Sequence, residues 1–206
     1  MPADALIVVD VQNDFCPGGA LPVPEGDRVV PVLNEYIRNM QSAGGLVLAS
    51  RDWHPPKTSH FKEYGGLWPP HCIQGTRGAE FHPDLRLPQD VPTVSLVSKG
   101  VEPEQADAYS AFQAVTTDGI PLAEALRRQG VKHVYVGGLA TDYCVKATAL
   151  DALQAGFAVT LLVDASRGVN VRPHDSEEAI EAMVRAGADC ATLERIAVGR
   201  AEVAHT

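Results

Sequence analysis

The sequence predicts an α/β protein, a three-layer α/β/α sandwich with a doubly wound, mainly parallel sheet of about six strands. Short apolar runs rich in β-branched residues alternate along the chain with segments of helical period. The apolar runs lack alternating polar residues, which is typical of parallel strands covered by helices on both faces. A chain of 206 residues suits one such domain, and we expect a single domain over residues 1–206.

Six segments predict strands, in the order Ala5–Asp10, Leu46–Arg51, Thr93–Lys99, Val134–Gly138, Ala158–Val163 and Cys190–Leu193. Helices are predicted between them at Arg28–Ala43, Leu122–Gln129, Asp142–Ala155 and Ser176–Ala186. A glycine follows each predicted helix, where a left-handed cap costs glycine little, at Gly44, Gly130, Gly156 and Gly187.

The net charge indicates which kinds of partner to expect, and the cysteines indicate the compartment. The formal net charge is −9, and no cluster of Lys or Arg stands out. Binding to nucleic acid or to an anionic membrane is therefore not expected, and neither a signal peptide nor a membrane-spanning segment is predicted. The widely spaced Cys16, Cys72, Cys144 and Cys190 predict free thiols of a cytoplasmic protein. We expect a small-molecule partner and leave a homo-oligomeric state open.

Two segments, 11–26 and 52–92, depart from the alternation of strands and helices. Both are rich in Pro, Gly, His and aromatic residues and show little helical period. A long segment of this kind inside a compact domain is usually functional. The second segment contains most of the histidines, and we expect a metal-binding loop at about residues 52–92.

Polar side chains follow four of the predicted strands. Asp10 ends the first strand, Asp52 and His54 follow the second, Lys99 ends the third, and Cys144 comes just after the fourth. Parallel sheets bind their ligands outside the carboxyl ends of the strands. The sequence therefore predicts that these side chains meet at one edge of the sheet.

Cys144 is the candidate nucleophile. With Thr141 or Asp142 as the N-cap, the thiol would lie in the first helical turn, where free N–H groups and the helix dipole lower a thiol pKa. The Asp10 carboxylate could remove the thiol proton, and the Lys99 ammonium could stabilise the anion. The alternative at this point is a buried and inert thiol.

The candidate metal ligands lie in the second aperiodic segment. Because Asp52 and His54 are two residues apart, their side chains would share one side of an extended chain. Nitrogen and oxygen ligands together suit one divalent metal ion, zinc, iron or manganese. The expected ligands are Asp52, His54, His60 and His71. Cys72 and His82 are rival ligands, and the alternative is that the histidines are simply exposed.

These motifs resemble the nicotinamidases (pyrazinamidases) of the isochorismatase-like cysteine hydrolase superfamily. The resemblance covers nearly the whole chain and is carried by the segments Val8–Cys16, Asp52–Pro55, Trp68–Cys72, Phe81–Pro83, Lys99–Gly100 and Gly138–Val145. The first and last segments also occur in metal-free relatives. The aspartate–histidine set together with Trp68–Cys72 is the part specific to nicotinamidases.

The resemblance implies a function and a set of site residues. It implies hydrolysis of nicotinamide, and of pyrazinamide, through a cysteine thioester, a step of NAD salvage in which a metal orients the pyridine ring. The implied triad is Asp10, Lys99 and Cys144, and the implied metal ligands are the four residues named above. The backbone N–H groups of Ala140 and Cys144 would form the oxyanion hole, helped by a cis peptide before Ala140. Further implied pocket residues are Phe15, Trp68 and Tyr109, with Tyr143 beside the nucleophile.

Three other functions remain open at this point. A relative acting on isochorismate or on an N-carbamoyl compound would share the fold but lack the histidine set. A different hydrolase would use water activated by a bound metal as its nucleophile and would not need Cys144. A non-catalytic metal or thiol-redox protein on this fold would turn over no amide.

Overall fold

All strands of the described residues run parallel in one sheet. The computed structural model describes residues 4–88 and 96–195. Its strands are β1 (Asp4–Val9), β2 (Leu46–Asp52), β3 (Leu96–Lys99), β4 (His133–Leu139), β5 (Ala158–Arg167) and β6 (Asp189–Ala191). The strand order is β3-β2-β1-β4-β5-β6. The direction of winding reverses between β1 and β4, which confirms the predicted doubly wound fold and places the ligand crevice at that reversal.

The helices lie close to their predicted positions. They are α1 (Val29–Ser42), α2 (Leu122–Arg128), α3 (Lys146–Gln154) and α4 (Asp175–Arg185). The predicted helix from Asp142 begins instead as a π-helical turn, Thr141–Val145, that runs directly into α3. All four glycines after the helices have a positive φ, as predicted. No helix among the described residues has the length and apolar character needed to cross a bilayer.

Strands β1, β2 and β4 lie within one residue of their predicted bounds, and the other three differ more. The first part of the predicted strand Thr93–Lys99 lies outside the described residues, and β3 is described from Leu96. β5 continues past its predicted end, because a register shift opposite β4 lets pairing with that strand resume at Ser166 and Arg167. β6 ends at Ala191 rather than at Leu193.

Helices cover both faces of the sheet, and β1 shows how its residues divide between them. Ala5, Ile7 and Val9 pack with α2, α3 and α4, whereas Leu6 and Val8 pack with α1. Each of these side chains is at most 1% exposed. Burial of each valine, leucine or isoleucine side chain contributes about 1.5–3 kcal/mol. The hydrophobic clusters on the two faces of the sheet therefore hold the strands in place. The strand ends that carry the polar residues are fixed with them.

Gly138 lets β4 approach the end of β1 closely. Its φ is +129°, and a Cβ atom there would lie 2.1 Å from the carbonyl oxygen of Val9. We expect Gly138→Ala to lower the melting temperature more than Gly156→Ala, where φ is +87° and nothing lies within 4 Å. Left-handed strain of about 1–2 kcal/mol is common to both variants, and only Gly138→Ala adds overlap with Val9. Thermal unfolding followed by circular dichroism measures the difference, and equal losses would contradict this account.

Candidate active site

Asp10 follows β1 directly and points into the crevice between β1 and its neighbours. Its backbone has a φ of 49°, and its N–H donates to the carbonyl of Ser50 at 3.1 Å. The hydroxyl of Ser50 donates to Oδ1 of Asp10 at 2.7 Å. Burial raises the pKa of the Asp10 carboxyl above its usual range, although the charge of Lys99 opposes this. The carboxylate is thus held rigidly and can accept a proton more readily than a solvated one.

Lys99 ends β3, and its ammonium is fully buried among acidic groups and a thiol. Its Nζ lies 2.8 Å from Oδ2 of Asp10, also pairs with Oδ1 of Asp52, and lies 3.4 Å from Sγ of Cys144. Burial alone would lower the pKa of Lys99, but the two carboxylates raise it well above its usual value. Lys99 is therefore a fixed positive charge beside the sulfur atom.

Cys144 is buried in the π-helical turn that follows β4. One ligand atom each of Asp10, Asp52 and Cys144 lie within 4.8 Å of one another. Burial raises the pKa of the Cys144 thiol well above its usual value, Lys99 opposes this, and Asp10 and Asp52 add to it. The expectation of a lowered thiol pKa was therefore wrong, because local helix position is outweighed by burial beside two carboxylates. The thiol needs a base to become a nucleophile.

The turn in front of Cys144 is fixed by its own backbone. The peptide bond between Leu139 and Ala140 is cis, as the resemblance implied. The Ala140 carbonyl accepts from the N–H groups of Tyr143 and Val145, at 3.1 and 3.0 Å. Ala140 and Cys144, the expected oxyanion residues, both line the pocket described below.

The predicted helix cap is not the one observed. Ala140 takes the N-cap position, and no side chain caps the turn. Asp142 instead accepts from the N–H groups of Val169 and Asn170, at 2.9 and 2.7 Å. The carboxylate is used to hold the loop after β5, which brings Val169 into the pocket wall.

The three predicted histidine ligands converge on one point. Ligand atoms of His54, His60 and His71 lie within 4.8 Å of one another, and all three residues are buried. Oδ2 of Asp52 lies 3.6 Å from Nε2 of His54 and 3.8 Å from Nε2 of His71. The Nε2 atom of His54 is buried without a hydrogen-bond partner. A buried nitrogen in this state is what a metal ion would satisfy.

Backbone carbonyls orient the three imidazole rings. The Nδ1 atoms of His54, His60 and His71 lie 3.1, 2.5 and 2.8 Å from the carbonyl oxygens of Gly100, Ala106 and Pro69. Because a carbonyl only accepts, each Nδ1 carries the hydrogen, and each Nε2 is left with a lone pair for a metal. The three Nε2 atoms and the Asp52 carboxylate together suit a divalent metal ion.

Electrostatics favours the metal-binding forms of these side chains. Burial would raise the pKa of Asp52, but the charge of Lys99 holds it well below its usual value. Burial lowers the pKa of His60 to about 4. A carboxylate and neutral imidazoles are the ligand forms. Among the described residues, the rival ligands Cys72 and His82 fall in neither close group of metal-ligating side chains.

One pocket joins the two polar groups. It has a volume of about 390 Å³, including space at its mouth, and its wall contains Asp52, His60, His71 and Cys144. All four predicted aromatic residues line it, namely Phe15, Trp68, Tyr109 and Tyr143. Nε1 of Trp68 donates to the Tyr109 hydroxyl at 3.0 Å, and the Trp68 and Tyr143 rings meet edge-on with centroids 5.0 Å apart. The pocket therefore offers flat apolar walls between a thiol and a histidine group.

Sequence reasoning missed the aliphatic part of the pocket and several supporting residues. Leu21, Val23, Leu139 and Val169 line the wall. Gln12 is fully buried and holds both backbone groups of Asp52, accepting from its N–H and donating to its carbonyl, each at 2.8 Å. The signal available for Leu21 and Val23 was their place in the aperiodic segment 11–26. For Val169, it was its position just after a strand.

Comparisons with known proteins agree with this geometry. A model of the isochorismatase domain matches residues 4–195. The nicotinamidase of Escherichia coli is 43% identical over 209 residues, which cover 94% of this chain and 96% of that protein. The pyrazinamidase of Pyrococcus horikoshii in complex with zinc superposes with a TM-score of 0.84 at 51% identity, covering 93% of this chain and 100% of that chain.

A further solved structure contains an organic ligand. A protein from L. infantum in complex with nicotinate superposes with a TM-score of 0.79 at 36% identity, covering 92% of each chain. The resemblance seen in the motifs is thereby confirmed over nearly all the described residues. Since the domain model spans residues 4–195, this chain belongs to the isochorismatase family.

Proposed function

We propose that this chain is a nicotinamidase that hydrolyses nicotinamide, and also pyrazinamide, to the carboxylate and ammonia. The observation that carries the proposal is one pocket whose wall contains both Cys144 and two members of the histidine group, His60 and His71. Lys99 lies beside both the Cys144 sulfur and the Asp10 carboxylate. The similar proteins named nicotinamidase and pyrazinamidase support this substrate class. The corresponding role is a step of NAD salvage in the cytoplasm.

Acylation begins with proton transfer from Cys144 to Asp10. The sulfur then forms a bond to the carboxamide carbon, and the carbonyl π electrons move to oxygen. The N–H groups of Ala140 and Cys144 stabilise the oxyanion. When the carbon–nitrogen bond breaks, Asp10 returns its proton to the leaving nitrogen, which departs as ammonia and leaves a thioester. The fixed charge of Lys99 lowers the energy of the thiolate.

Hydrolysis of the thioester reverses the proton path. Water attacks the thioester carbon and gives a proton to Asp10. The carbon–sulfur bond then breaks, the acid product is released, and the Cys144 sulfur recovers its proton from Asp10. The sum is amide plus water giving acid plus ammonia, with no redox change.

The residues Asp52, His54, His60 and His71 would hold the metal ion. A bound ion would supply an open coordination position for the ring nitrogen and so act as a template for orientation. Zinc, iron and manganese all suit this donor set. Zinc is the first ion to test, because the Pyrococcus horikoshii pyrazinamidase structure contains it.

The histidine group also separates nicotinamidase from the alternatives. A hydrolase of the same family that acts on a non-aromatic amide or on isochorismate has no use for the buried, partnerless Nε2 of His54. A non-catalytic metal or thiol protein would not require an ammonium and a carboxylate in contact with Cys144. Both alternatives predict no ammonia release from nicotinamide.

Metal removal tests the template role. We expect protein depleted with a chelator and then dialysed to bind nicotinamide at least about tenfold more weakly, because the ring loses its orienting contact. Ammonia release and metal content are measured on the same samples, before depletion and after restoring zinc, iron or manganese. Unchanged nicotinamide affinity in fully depleted protein would contradict the template role, and no ammonia release at any metal loading would contradict the proposed function.

A further inference from the structure

The Asp14 carboxylate lies where two segments of the pocket wall meet. Its Oδ1 accepts from the N–H of Ala20 at 3.1 Å, and its Oδ2 accepts from the N–H of Cys72 at 2.7 Å. These partners are 6 and 58 residues away along the chain. Hydrogen bonds from amides to a carboxylate are about twice as strong as neutral ones. One side chain thus ties together two segments that lie outside the helices and strands of the sheet.

The first of these loops is the apolar strap, residues 16–23. It carries Leu21 and Val23, which line the pocket. The N–H of Leu21 donates to the backbone carbonyl of Asp14 at 2.9 Å, and that of Val23 donates to the carbonyl of Phe15 at 3.0 Å. Asp14 and Phe15 therefore fix the strap at three points, including the bond to Ala20.

The second loop carries metal ligands. Cys72 follows His71 and has a φ of 45°, a conformation that costs a non-glycine residue about 1–3 kcal/mol and persists only when its surroundings hold it. Its N–H is held by Asp14, and its carbonyl accepts from the N–H of His54 at 3.0 Å. Cys72 therefore links Asp14 to both histidines. It is bonded covalently to His71 and hydrogen-bonded to the backbone of His54.

Two glycines bring the neighbouring backbone close to Asp14. A Cβ atom on Gly78 would lie 2.1 Å from Oδ2 of Asp14, and one on Gly19 would lie 2.4 Å from its Cα. Neighbouring backbone therefore contacts Asp14 where only glycine fits. The close contacts help to keep the Asp14 carboxylate where it can accept from both N–H groups at once.

We propose that Asp14 is a positioning residue that couples the apolar wall of the pocket to the metal ligands. It touches neither substrate nor metal and acts through Cys72 on His71 and His54, and through the strap on Leu21 and Val23. The inference rests on the proposed function for the identity of the substrate. The expected effect of Asp14 on metal affinity does not depend on turnover.

The test compares Asp14→Asn with the wild-type protein. An asparagine oxygen accepts one of the two N–H groups, and its amide meets the other with a donor. We expect metal affinity, measured by competition with a chromophoric chelator, to fall about 10–100-fold. At saturating metal, KM for nicotinamide should rise about tenfold while kcat stays within about threefold, because the group of Asp10, Lys99 and Cys144 is untouched.

Two further variants make the result specific. Asp27→Asn makes the same charge change at an exposed residue nearby and should match the wild-type protein. Gly78→Ala displaces the Asp14 carboxylate without changing any charge, and it should weaken metal binding and raise KM in the same direction. This variant decides the matter if Asp14→Asn does not fold.

Two outcomes would overturn the proposal. One is metal affinity and KM within about twofold of the wild-type values in both Asp14→Asn and Gly78→Ala. The other is a loss confined to kcat with metal affinity intact, which would place Asp14 in the chemical step. If the wild-type protein does not hydrolyse nicotinamide, the proposed function fails, and the metal affinities alone still confirm or overturn the role of Asp14.

Discussion

Replacing Cys144 by alanine is expected to abolish ammonia release from nicotinamide, with kcat falling by about 10⁶-fold, as when other hydrolases lose their nucleophile. The sulfur atom lies 3.4 Å from the Lys99 ammonium and within 4.8 Å of an Asp10 carboxylate oxygen, and among the described residues Cys144 is the one thiol that lines the pocket, so its loss removes the nucleophile of the acylation step. Metal content should stay at the wild-type level, because Cys144 is not one of the expected metal ligands. Ammonia release and metal analysis on the same sample measure both.

The control for this variant is Cys190→Ala, which removes a thiol from β6 and should leave activity unchanged. Incubation of wild-type protein with substrate, followed by acid quench and mass spectrometry, should find the acyl group on the peptide containing Cys144. If Cys144→Ala keeps substantial activity, the thioester mechanism is wrong, and water activated at the histidine group becomes the better hypothesis.

The sequence could predict the sheet and the strand ends because both follow from local patterns. Unalternating apolar runs separated by helical periods admit few topologies other than a doubly wound sheet. The carboxyl ends of parallel strands lie at one edge of the sheet, whatever the strand order. That edge therefore carries Asp10, Asp52 and Lys99. The structure brings these three side chains into contact, as expected.

The protonation state of Cys144 could not be predicted in the same way. Its place in the first helical turn is local information and favours a thiolate. Its burial and its distances to Asp10 and Asp52 depend on β1 and β2, which lie far from it along the chain. In the structure, burial beside those carboxylates raises the pKa of the thiol above the usual value, which favours a mechanism with a base.

The supports of the site were also beyond sequence reasoning. The ring orientations of His54 and His60 depend on carbonyls of Gly100 and Ala106, each 46 residues away along the chain. Backbone carbonyls carry no sequence signature. Leu21 lies in a segment without period, and its place in the pocket follows from bonds to Asp14 that only the folded chain reveals.

Because the thiol needs a base, the replacement of Asp10 by asparagine should have the second largest effect. Asparagine keeps the shape of the side chain and can still accept from Ser50 or Lys99, but it cannot take a proton from sulfur. We expect kcat to fall by about 10³–10⁴-fold, near the upper range for loss of general acid–base catalysis. KM should change by only a few-fold, since in the proposed function the aromatic walls and a metal held by the histidine group would bind the ring.

Thiol chemistry provides a second measurement on the same variant. Alkylation of Cys144 by iodoacetamide should be faster in Asp10→Asn than in the wild-type protein, because the Asp10 carboxylate raises the thiol pKa and its loss favours the thiolate beside Lys99. Asp118→Asn, at an exposed position, is the matched control and should change neither rate. Retention of more than about one tenth of the activity would show that Asp10 is not the general base. The Lys99 ammonium, with its pKa raised well above the usual value, could not take over that role.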